Sequence, residues 1–224
     1  MIESHPAALG NRIVAKARQL GATLAGIAAA SDLAKAPSYE LAGRDARLIE
    51  GRSLVVLALV HHESEPELDW WEANTTSPGD LRLEQVGKQL VEWLKQEHRI
   101  HGQLLPYRVE KGGVFLKDAA VLAGIGIVGR NNLLITPEFG PRVRMRALLV
   151  DARIHRLPRE DFDPCSGCDM PCRRACPRDA FEPGFYLRVR CQGQMQADIA
   201  TASGPIRYCR LCELACNMGT ERVF

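Results

Sequence analysis

The chain has 224 residues, enough for one or two domains with a sizeable hydrophobic core. Lys and Arg number 29 against 27 Asp and Glu, so the composition lacks the basic excess that would by itself indicate a nucleic-acid-binding protein. The N-terminus has no basic segment leading into an apolar one, and no run of about 18 apolar residues occurs. We therefore expect a cytoplasmic protein that is not associated with a membrane.

The first two thirds of the chain predict a mixture of helices and strands. Apolar residues recur at helical spacing in some segments, whereas others are short, continuous apolar runs typical of buried strands. Helices are expected over residues 6–20, 81–98 and 114–123, and strands over residues 22–29, 53–60, 104–109, 133–135 and 143–150.

Two adjacent histidines, His61 and His62, follow the most apolar of the predicted strands. Neighbouring side chains on an extended backbone point to opposite faces, so the two imidazoles would not reach one metal ion. We interpret the pair as structurally incidental.

The segment AGIGIVGRNN has glycines at positions 124, 126 and 129, the spacing of a dinucleotide-binding loop. Such a loop follows a strand and begins a helix, so that the phosphates meet the helix N-terminus. Here a predicted helix precedes the glycines and a predicted strand follows them, which excludes that interpretation. We expect Gly126 and Gly129 to allow a tight turn or the close approach of a flat ligand. Residues 135–151 then predict a hairpin that leads out of the domain.

All eight cysteines lie in the last 60 residues of the chain, within a longer segment that carries the basic excess: residues 141–224 hold 14 basic and 10 acidic residues. The cysteines occur in the runs CSGCDMPCRRACP and CRLCELAC and singly between them. A disulfide framework is typical of small secreted domains, whereas here a long cysteine-free region precedes the cluster. Closely spaced thiolates indicate a metal site instead. The candidate ligands are Cys165, Cys168, Cys172, Cys176, Cys191, Cys209, Cys212 and Cys216.

Two kinds of metal site are compatible with these cysteines. Two pairs, Cys165 with Cys168 and Cys209 with Cys212, would form a zinc-ribbon site, but that leaves the other four without a purpose. The bacterial ferredoxin pattern C-x2-C-x2-C-x3-C-P fits the first run with one extra residue between its second and third ligands, so we favour two 4Fe-4S clusters. In that pattern the fourth cysteine ligates the other cluster. One cluster would then take Cys165, Cys168, Cys172 and Cys216, and the other Cys176, Cys191, Cys209 and Cys212.

The run YRVEKGGVFLKDAAVLAGIGIVGRNNLLITPEFGPRVRMRALLVD, followed by this cysteine pattern, resembles the epoxyqueuosine reductase family and its short relatives. The resemblance covers most of the chain from about residue 50 onward and is most specific in KDAAVLAGIGIVGRNNLLI and in the cysteines. It implies an α+β protein in which a nitroreductase-like mixed α/β sandwich domain (residues 1–155) binds a corrinoid. A small ferredoxin-like double-cluster domain (residues 156–224) follows it.

The resemblance also implies a division of chemical labour. The two clusters would pass electrons singly to a cobalamin, while the protein supplies orientation and a proton. Gly126, Gly129, Arg130 and Asn131 are the candidate cobalamin-binding residues. Glu110 aligns with the catalytic aspartate of the epoxyqueuosine reductases and is the candidate general acid. Glutamate is one methylene longer than aspartate, and a carboxylate displaced by about 1 Å can lose on the order of 100-fold in rate.

Two further departures bear on partners. The chain stops eight residues after Cys216, before the helical-repeat tail that helps the longer reductases hold transfer RNA, so we expect transfer RNA to be a doubtful substrate. The twin-arginine leader of the related dehalogenases is also missing. We expect a reductase of a small-molecule or nucleoside-like substrate, supplied with electrons by a ferredoxin or flavodoxin. The alternatives are an electron carrier without its own catalytic cofactor and a zinc-structured binding module.

Overall fold

The structure is a computed structural model that describes residues 6–42, 51–72, 75–154, 161–182 and 185–219. The chain divides into two compact units, each assembled from three separate stretches. The first unit comprises Met1–Leu59, Arg82–Ile125 and Met145–Asp161, and the second comprises Val60–Leu81, Gly126–Arg144 and Phe162–Phe224.

The described residues form a mixed α/β structure. The helices are α1 (Pro6–Gln19), α2 (Pro37–Ala42), α3 (Pro78–His98), α4 (Leu116–Leu122), α5 (Pro171–Arg174), α6 (Arg188–Thr201) and α7 (Leu211–Leu214). The strands are β1 (Leu24–Ala29), β2 (Ser53–Val60), β3 (Gly102–Leu104), β4 (Ile127–Val128), β5 (Leu134–Ile135), β6 (Val143–Val150), β7 (Phe181–Glu182) and β8 (Phe185–Tyr186). Short 3-10 turns cover Ala30–Lys35, Pro66–Asp69 and Val109–Lys111.

Four strands form the main sheet, in the order β1-β2-β6-β3. β1 runs antiparallel to β2, with Leu24 opposite Ala58, and β3 runs antiparallel to β6. β2 is buried along all but its last residue, as expected for a continuous apolar run. Apolar side chains of α1, α3, β2 and β6 pack together as the core of the first unit, and its fully buried members include Ile13, Ala17, Val55, Leu57, Leu83, Leu90, Leu94 and Leu148.

Most of the predicted helices and strands are confirmed within a few residues, but two predictions are wrong. The strand expected over residues 104–109 ends at Leu104, because Pro106 has no N–H group to donate to a strand ladder. The hairpin expected over residues 135–151 does not form: β5 pairs with β4, so that Ile127 lies opposite Ile135. A tight turn makes this pairing possible, since the Gly129 N–H donates to the Leu133 carbonyl at 2.9 Å.

The division into units differs from the predicted domains, residues 1–155 and 156–224. Two stretches assigned by sequence to the first domain, residues 60–81 and 126–144, are compact with the cysteine-bearing chain. Backbone pairing shows one reason, since Trp71 and Ile206 exchange N–H to carbonyl hydrogen bonds of 2.9 and 2.8 Å. The predicted boundary itself lies outside the described residues.

No helix in the described parts of the chain combines the length and apolar character needed to cross a membrane.

Replacing Gly26 in β1 tests how closely the chain packs in the first unit. A Cβ atom at this position would lie 2.3 Å from the Ala123 carbonyl oxygen, a contact that neither backbone can relieve without moving. We expect Gly26→Ala to destabilise the protein by about 2 kcal/mol, measured as a lower thermal midpoint. Gly102→Ala is the matched control, because a Cβ there would meet its neighbours at 3.5 Å or more. An unchanged midpoint in Gly26→Ala would contradict this close packing.

Candidate metal centre

The eight cysteines sit on short helices and turns of the second unit. Cys165 and Cys168 lie in the turn before α5, where the Asp163 carboxylate accepts hydrogen bonds from the N–H groups of Cys165 and Ser166 at 3.2 and 3.1 Å. Gly167 in that turn has a φ of +71°, which favours glycine. α5 carries Cys172, α6 carries Cys191 and α7 carries Cys212, while Cys176, Cys209 and Cys216 lie next to these helices. All eight are free thiols.

Helix α6 also fixes a cysteine that lies beyond its end. The Asp198 carboxylate accepts a hydrogen bond from the Cys209 N–H at 2.8 Å, and Gln194 donates to the other oxygen of the same carboxylate at 2.8 Å. Asp198 therefore ties the beginning of the CRLCELAC run to the helix that carries Cys191.

Electrostatic interactions among the thiols separate them into two groups of four. In the first group, Cys172 is affected by the charges of the other three members, Cys165, Cys168 and Cys216. In the second group, Cys212 is affected by Cys176, Cys191 and Cys209. These interactions fall off with distance, so each group shares one region of space. The first group is Cys165, Cys168, Cys172 and Cys216; the second group is Cys176, Cys191, Cys209 and Cys212.

Burial and mutual repulsion favour the protonated form of four of these thiols. Burial, and then repulsion from Cys209 and Cys191, raises the pKa of Cys212 to about 12. Burial likewise raises the pKa of Cys172, Cys209 and Cys216 above the ordinary value. Such thiols become good ligands only when a positively charged centre compensates their charges, and the donor set suits a thiophilic metal.

Among the described residues, no three cysteine sulfurs lie as close to one another as the ligands of a single tetrahedral ion would. A tetrahedral zinc ion with Zn–S bonds of about 2.3 Å brings its thiolates to about 3.8 Å from one another. Among the described residues, which include all eight cysteines, the ligand atoms that come together in threes within 4.8 Å belong to His61, Asp69 and Glu213 and not to cysteines. A cube of four irons and four sulfides is larger and holds its ligands further apart.

A cavity of about 480 Å³ adjoins the first group. Cys165, Cys168, Cys172 and Cys216 contribute to its lining, and Arg130, Asn131, Ile135 and Met218 contribute from other segments. Asn131 is buried and bonded to the second group as well, since its amide nitrogen donates to the Cys212 carbonyl at 3.4 Å. The turn that carries Arg130 and Asn131 therefore contacts both groups.

The structure gives the predicted glycines a role within the chain itself. A Cβ atom at Gly126 would lie 2.1 Å from the Ile135 carbonyl oxygen, and one at Gly129 would lie 2.6 Å from the Ile135 side chain. Glycine is thus required at both positions for β4 and its turn to approach β5. This packing accounts for the two glycines without a flat ligand.

Glu110 belongs to the first unit, whereas the cysteines and the glycine-bearing turn belong to the second. It belongs to the 3-10 turn Val109–Lys111, and its side chain is 63% exposed. An oxygen of its carboxylate lies 3.9 Å from the Arg108 guanidinium. The carboxylate is accessible to a ligand and has a cation beside it.

A buried network of charged residues lies beside the cysteines, and the sequence did not predict it. The His61 Nδ1 atom contacts the Asp69 carboxylate at 2.5 Å, and its Nε2 atom lies 3.8 Å from the Glu213 carboxylate. Arg210 contacts Asp69 at 3.3 Å and Glu213 at 2.5 Å, and Arg144 also pairs with Asp69. The interpretation of His61 as incidental is therefore wrong. Its burial beside Asp69, eight residues further along, gave no periodic signal in the sequence.

The charges in this network are balanced by side chains and leave no place for a metal ion. Two guanidinium groups already neutralise the carboxylates of Asp69 and Glu213, so an added cation would have to displace them. Burial alone would raise the pKa of Asp69, but His61 and Arg144 outweigh burial and hold that pKa well below its usual range. This carboxylate therefore stabilises the fold above about pH 4 and loses its contribution as the pH falls through its lower native pKa.

Arg142 ties the same region to the end of the cysteine segment. Its guanidinium donates to the carbonyl groups of Leu214 and Met218 at 3.3 and 2.9 Å and pairs with Glu63 at 3.1 Å. Its positive charge also opposes the rise in the pKa of Cys216 that burial causes. Arg142 thus stabilises both the backbone around the last cysteine and its thiolate.

Neutralising Asp69 should destabilise the second unit. Asp69→Asn leaves the guanidinium groups of Arg144 and Arg210 without their shared counter-charge, which we expect to cost about 3 kcal/mol. For a chain of this length, that corresponds to a fall of about 10 °C in the thermal midpoint. Glu67→Gln, an exposed carboxylate in the same 3-10 turn, is the control and should shift the midpoint by less than about 2 °C. Equal midpoints for the two variants would refute a stabilising role for the network.

Comparisons with known proteins show that parts of the chain are similar to two kinds of reductase. No protein-family profile matches it. Epoxyqueuosine reductase of Cyclobacterium marinum is 32% identical over 94 residues, which is 42% of this chain and 29% of that protein. Tetrachloroethene reductive dehalogenase of Desulfitobacterium hafniense is 32% identical over 118 residues, 49% of this chain and 21% of that protein. The chain thus matches less than a third of the length of these curated relatives.

Solved structures show the same fold at lower identity. An epoxyqueuosine reductase crystallised with an epoxyqueuosine-modified tRNA-Tyr stem loop has a TM-score of 0.70 at 20% identity, covering 98% of this chain and 68% of that one. A reductive dehalogenase whose structure suggests a mechanism for B12-dependent dehalogenation has a TM-score of 0.66 at 20% identity, covering 95% and 32%. The chain is thus similar in part of its sequence, and in its fold, to epoxyqueuosine reductases and to reductive dehalogenases.

Proposed function

We propose that this chain is an iron-sulfur reductase that uses a corrinoid. The single observation that carries the proposal is the convergence of eight free thiols into two groups of four, in a chain related to reductases. The nitroreductase-like part of the chain would bind the corrinoid, and the cysteine-bearing part would be ferredoxin-like and hold two 4Fe-4S clusters.

The two groups have what a cluster site requires. Each supplies four thiols, the ligand number of a 4Fe-4S cluster. Backbone N–H groups also point at the sulfur atoms: Ala180 donates to Cys176 at 3.3 Å, Leu211 to Cys209 and Met218 to Cys216. Such hydrogen bonds and the Arg142 charge stabilise the electron-rich sulfurs. The cysteine partition expected from the ferredoxin pattern is the one that these thiol interactions support.

The corrinoid part of the proposal depends more on the relatives. The exposed Arg130 guanidinium and the Asn131 amide, at the rim of the cavity beside the first group, suit the amide and phosphate groups that a corrinoid carries. Gly126 and Gly129 would shape this rim by holding the turn against β5. A bound corrinoid would supply a strongly reducing cobalt centre, while the chain binds and orients it and delivers electrons from the adjacent thiol-bound centre.

The substrate proposed is a small or nucleoside-like molecule that carries a reducible carbon-oxygen or carbon-halogen bond. Reductive opening of an epoxide takes two electrons and two protons, and reductive loss of a halide takes two electrons and one proton. Two one-electron clusters match the electron requirement. Glu110 would hold the proton on its carboxyl oxygen as general acid, where such a group contributes a factor of about 100 to 10,000. The free nucleoside and a transfer RNA stem loop that contains it are compared below as substrates.

Cofactor content tests the proposal directly. Anaerobically purified and reconstituted protein should contain about eight irons and eight acid-labile sulfides per chain, accept electrons from reduced ferredoxin or flavodoxin, and bind about one cobalamin on titration. Cys165→Ser and Cys209→Ser should each lose one cluster and keep the other, because they change different groups. Colourless protein with about two zinc ions would indicate a binding module. Intact clusters with no cobalamin bound would indicate an electron carrier.

Glu110→Gln tests the proposed general acid. Epoxyqueuosine nucleoside and a tRNA stem loop that contains it are the two probes, and the variant should reduce whichever probe the wild type reduces at least about 100-fold more slowly. Cluster reduction by dithionite should be unchanged, since the substitution removes only a proton donor. Glu40→Gln, another exposed carboxylate of the first unit, should keep the wild-type rate. A rate within twofold of wild type in Glu110→Gln would eliminate this residue as the acid.

A further inference from the structure

The β7–β8 hairpin brings a tyrosine side chain to the second group of thiols. Phe181 lies opposite Tyr186 in this hairpin, and their rings stack with centroids 5.7 Å apart and an interplanar angle of 28°. Tyr186 comes two residues before α6, in which Cys191 lies in the first turn. The aromatic stack and the start of the helix therefore fix the tyrosine ring relative to Cys191.

The Tyr186 hydroxyl forms hydrogen bonds with two side chains, those of Cys191 and Asn132. A tyrosine hydroxyl has one proton to donate and lone pairs that accept. The Asn132 amide nitrogen can only donate, so the hydroxyl accepts from it and donates its own proton to the Cys191 sulfur. A phenolic hydroxyl keeps its proton near neutral pH.

Asn132 belongs to the turn that already contacts the second group. Its φ of +57° places it in the left-handed region, and its N–H donates to the Gly129 carbonyl at 2.9 Å. The neighbouring Asn131 donates to the Cys212 carbonyl. One turn therefore reaches two members of the second group, Cys212 directly and Cys191 through the tyrosine hydroxyl.

We propose that Tyr186 is a positioning residue that raises the reduction potential of the cluster held by the second group. The inference rests on the proposed function, because it requires that cluster to be present. Adding one electron to a cluster increases the negative charge on its sulfur ligands, and a hydrogen bond to a sulfur stabilises the reduced form more than the oxidised one. The electron enters the cluster while the proton stays on the tyrosine oxygen, so no bond is made or broken.

The hydrogen bond from Asn132 strengthens this effect. A hydroxyl that accepts a hydrogen bond becomes a better donor, because successive hydrogen bonds polarise one another. The chain from Asn132 through Tyr186 to Cys191 thus acts as one unit. Removing its middle member should have a larger effect than removing its outer member.

Redox titration of the reconstituted protein, followed by electron paramagnetic resonance, tests the proposal with Tyr186→Phe. Phenylalanine keeps the stack on Phe181 and removes only the hydroxyl. At the wild-type midpoint of the second cluster, the ratio of reduced to oxidised cluster should fall about tenfold, which is about 59 mV for a one-electron couple. The other cluster is the internal reference and should not move. Cys191→Ser, which changes a ligand, identifies which of the two signals belongs to the second group.

Two further variants make the result decisive. Asn132→Gly keeps the left-handed backbone and should shift the same cluster in the same direction, but by less. Tyr107→Phe makes the same chemical change in the first unit and should shift neither potential. Unchanged potentials in Tyr186→Phe, or equal shifts of both clusters, overturn the inference. If Tyr186→Phe fails to assemble the second cluster, Asn132→Gly decides, and an unshifted potential there overturns it. A wild-type protein without clusters refutes the proposed function instead.

Discussion

Repulsion among thiolates is the constraint on which the second unit depends. Eight cysteines lie within one short stretch of chain, and burial makes the charges of Cys172, Cys209, Cys212 and Cys216 costly. The surroundings compensate in three ways: backbone N–H groups donate to sulfur, the Tyr186 hydroxyl donates to Cys191, and Arg142 places a positive charge near Cys216. A metal centre would supply the remaining positive charge.

The buried ion pairs extend this compensation into the backbone that carries the cysteines. Arg210 directly follows Cys209, and Glu213 directly follows Cys212, so the network anchors both ends of the short run that provides two ligands. Asp69 connects Arg210 with Arg144 at the beginning of β6. A buried ion pair adds little net stability compared with apolar packing, but it requires a specific arrangement of its members. The network therefore fixes where Cys209 and Cys212 point.

The sequence predicted what has a local signal. Apolar periodicity predicted most of the helices and strands, and ligand spacing is the basis of the proposed division of the cysteines. Contacts between distant segments had no such signal: Asp69 meets Arg210 across about 140 residues, and Tyr186 meets Asn132 across more than 50. The glycines at 126 and 129 were correctly singled out as close-approach positions, but what approaches them is Ile135 of the same chain. The assignment of residues 60–81 and 126–144 to the cysteine-bearing unit likewise depends on tertiary contacts that a linear pattern does not contain.

The order of the thiols along the chain has a consequence for assembly. The first group takes three ligands from the beginning of the segment and Cys216 from its end, while every member of the second group lies between them in sequence. The second group is thus nested within the first along the sequence. A centre bound by all four members of the first group joins residues more than 40 positions apart, and so restricts the chain that carries the second group. A cross-link lowers the entropy of an open chain in the same way. A centre bound by the first group would therefore make assembly of the second group easier without being needed to hold it.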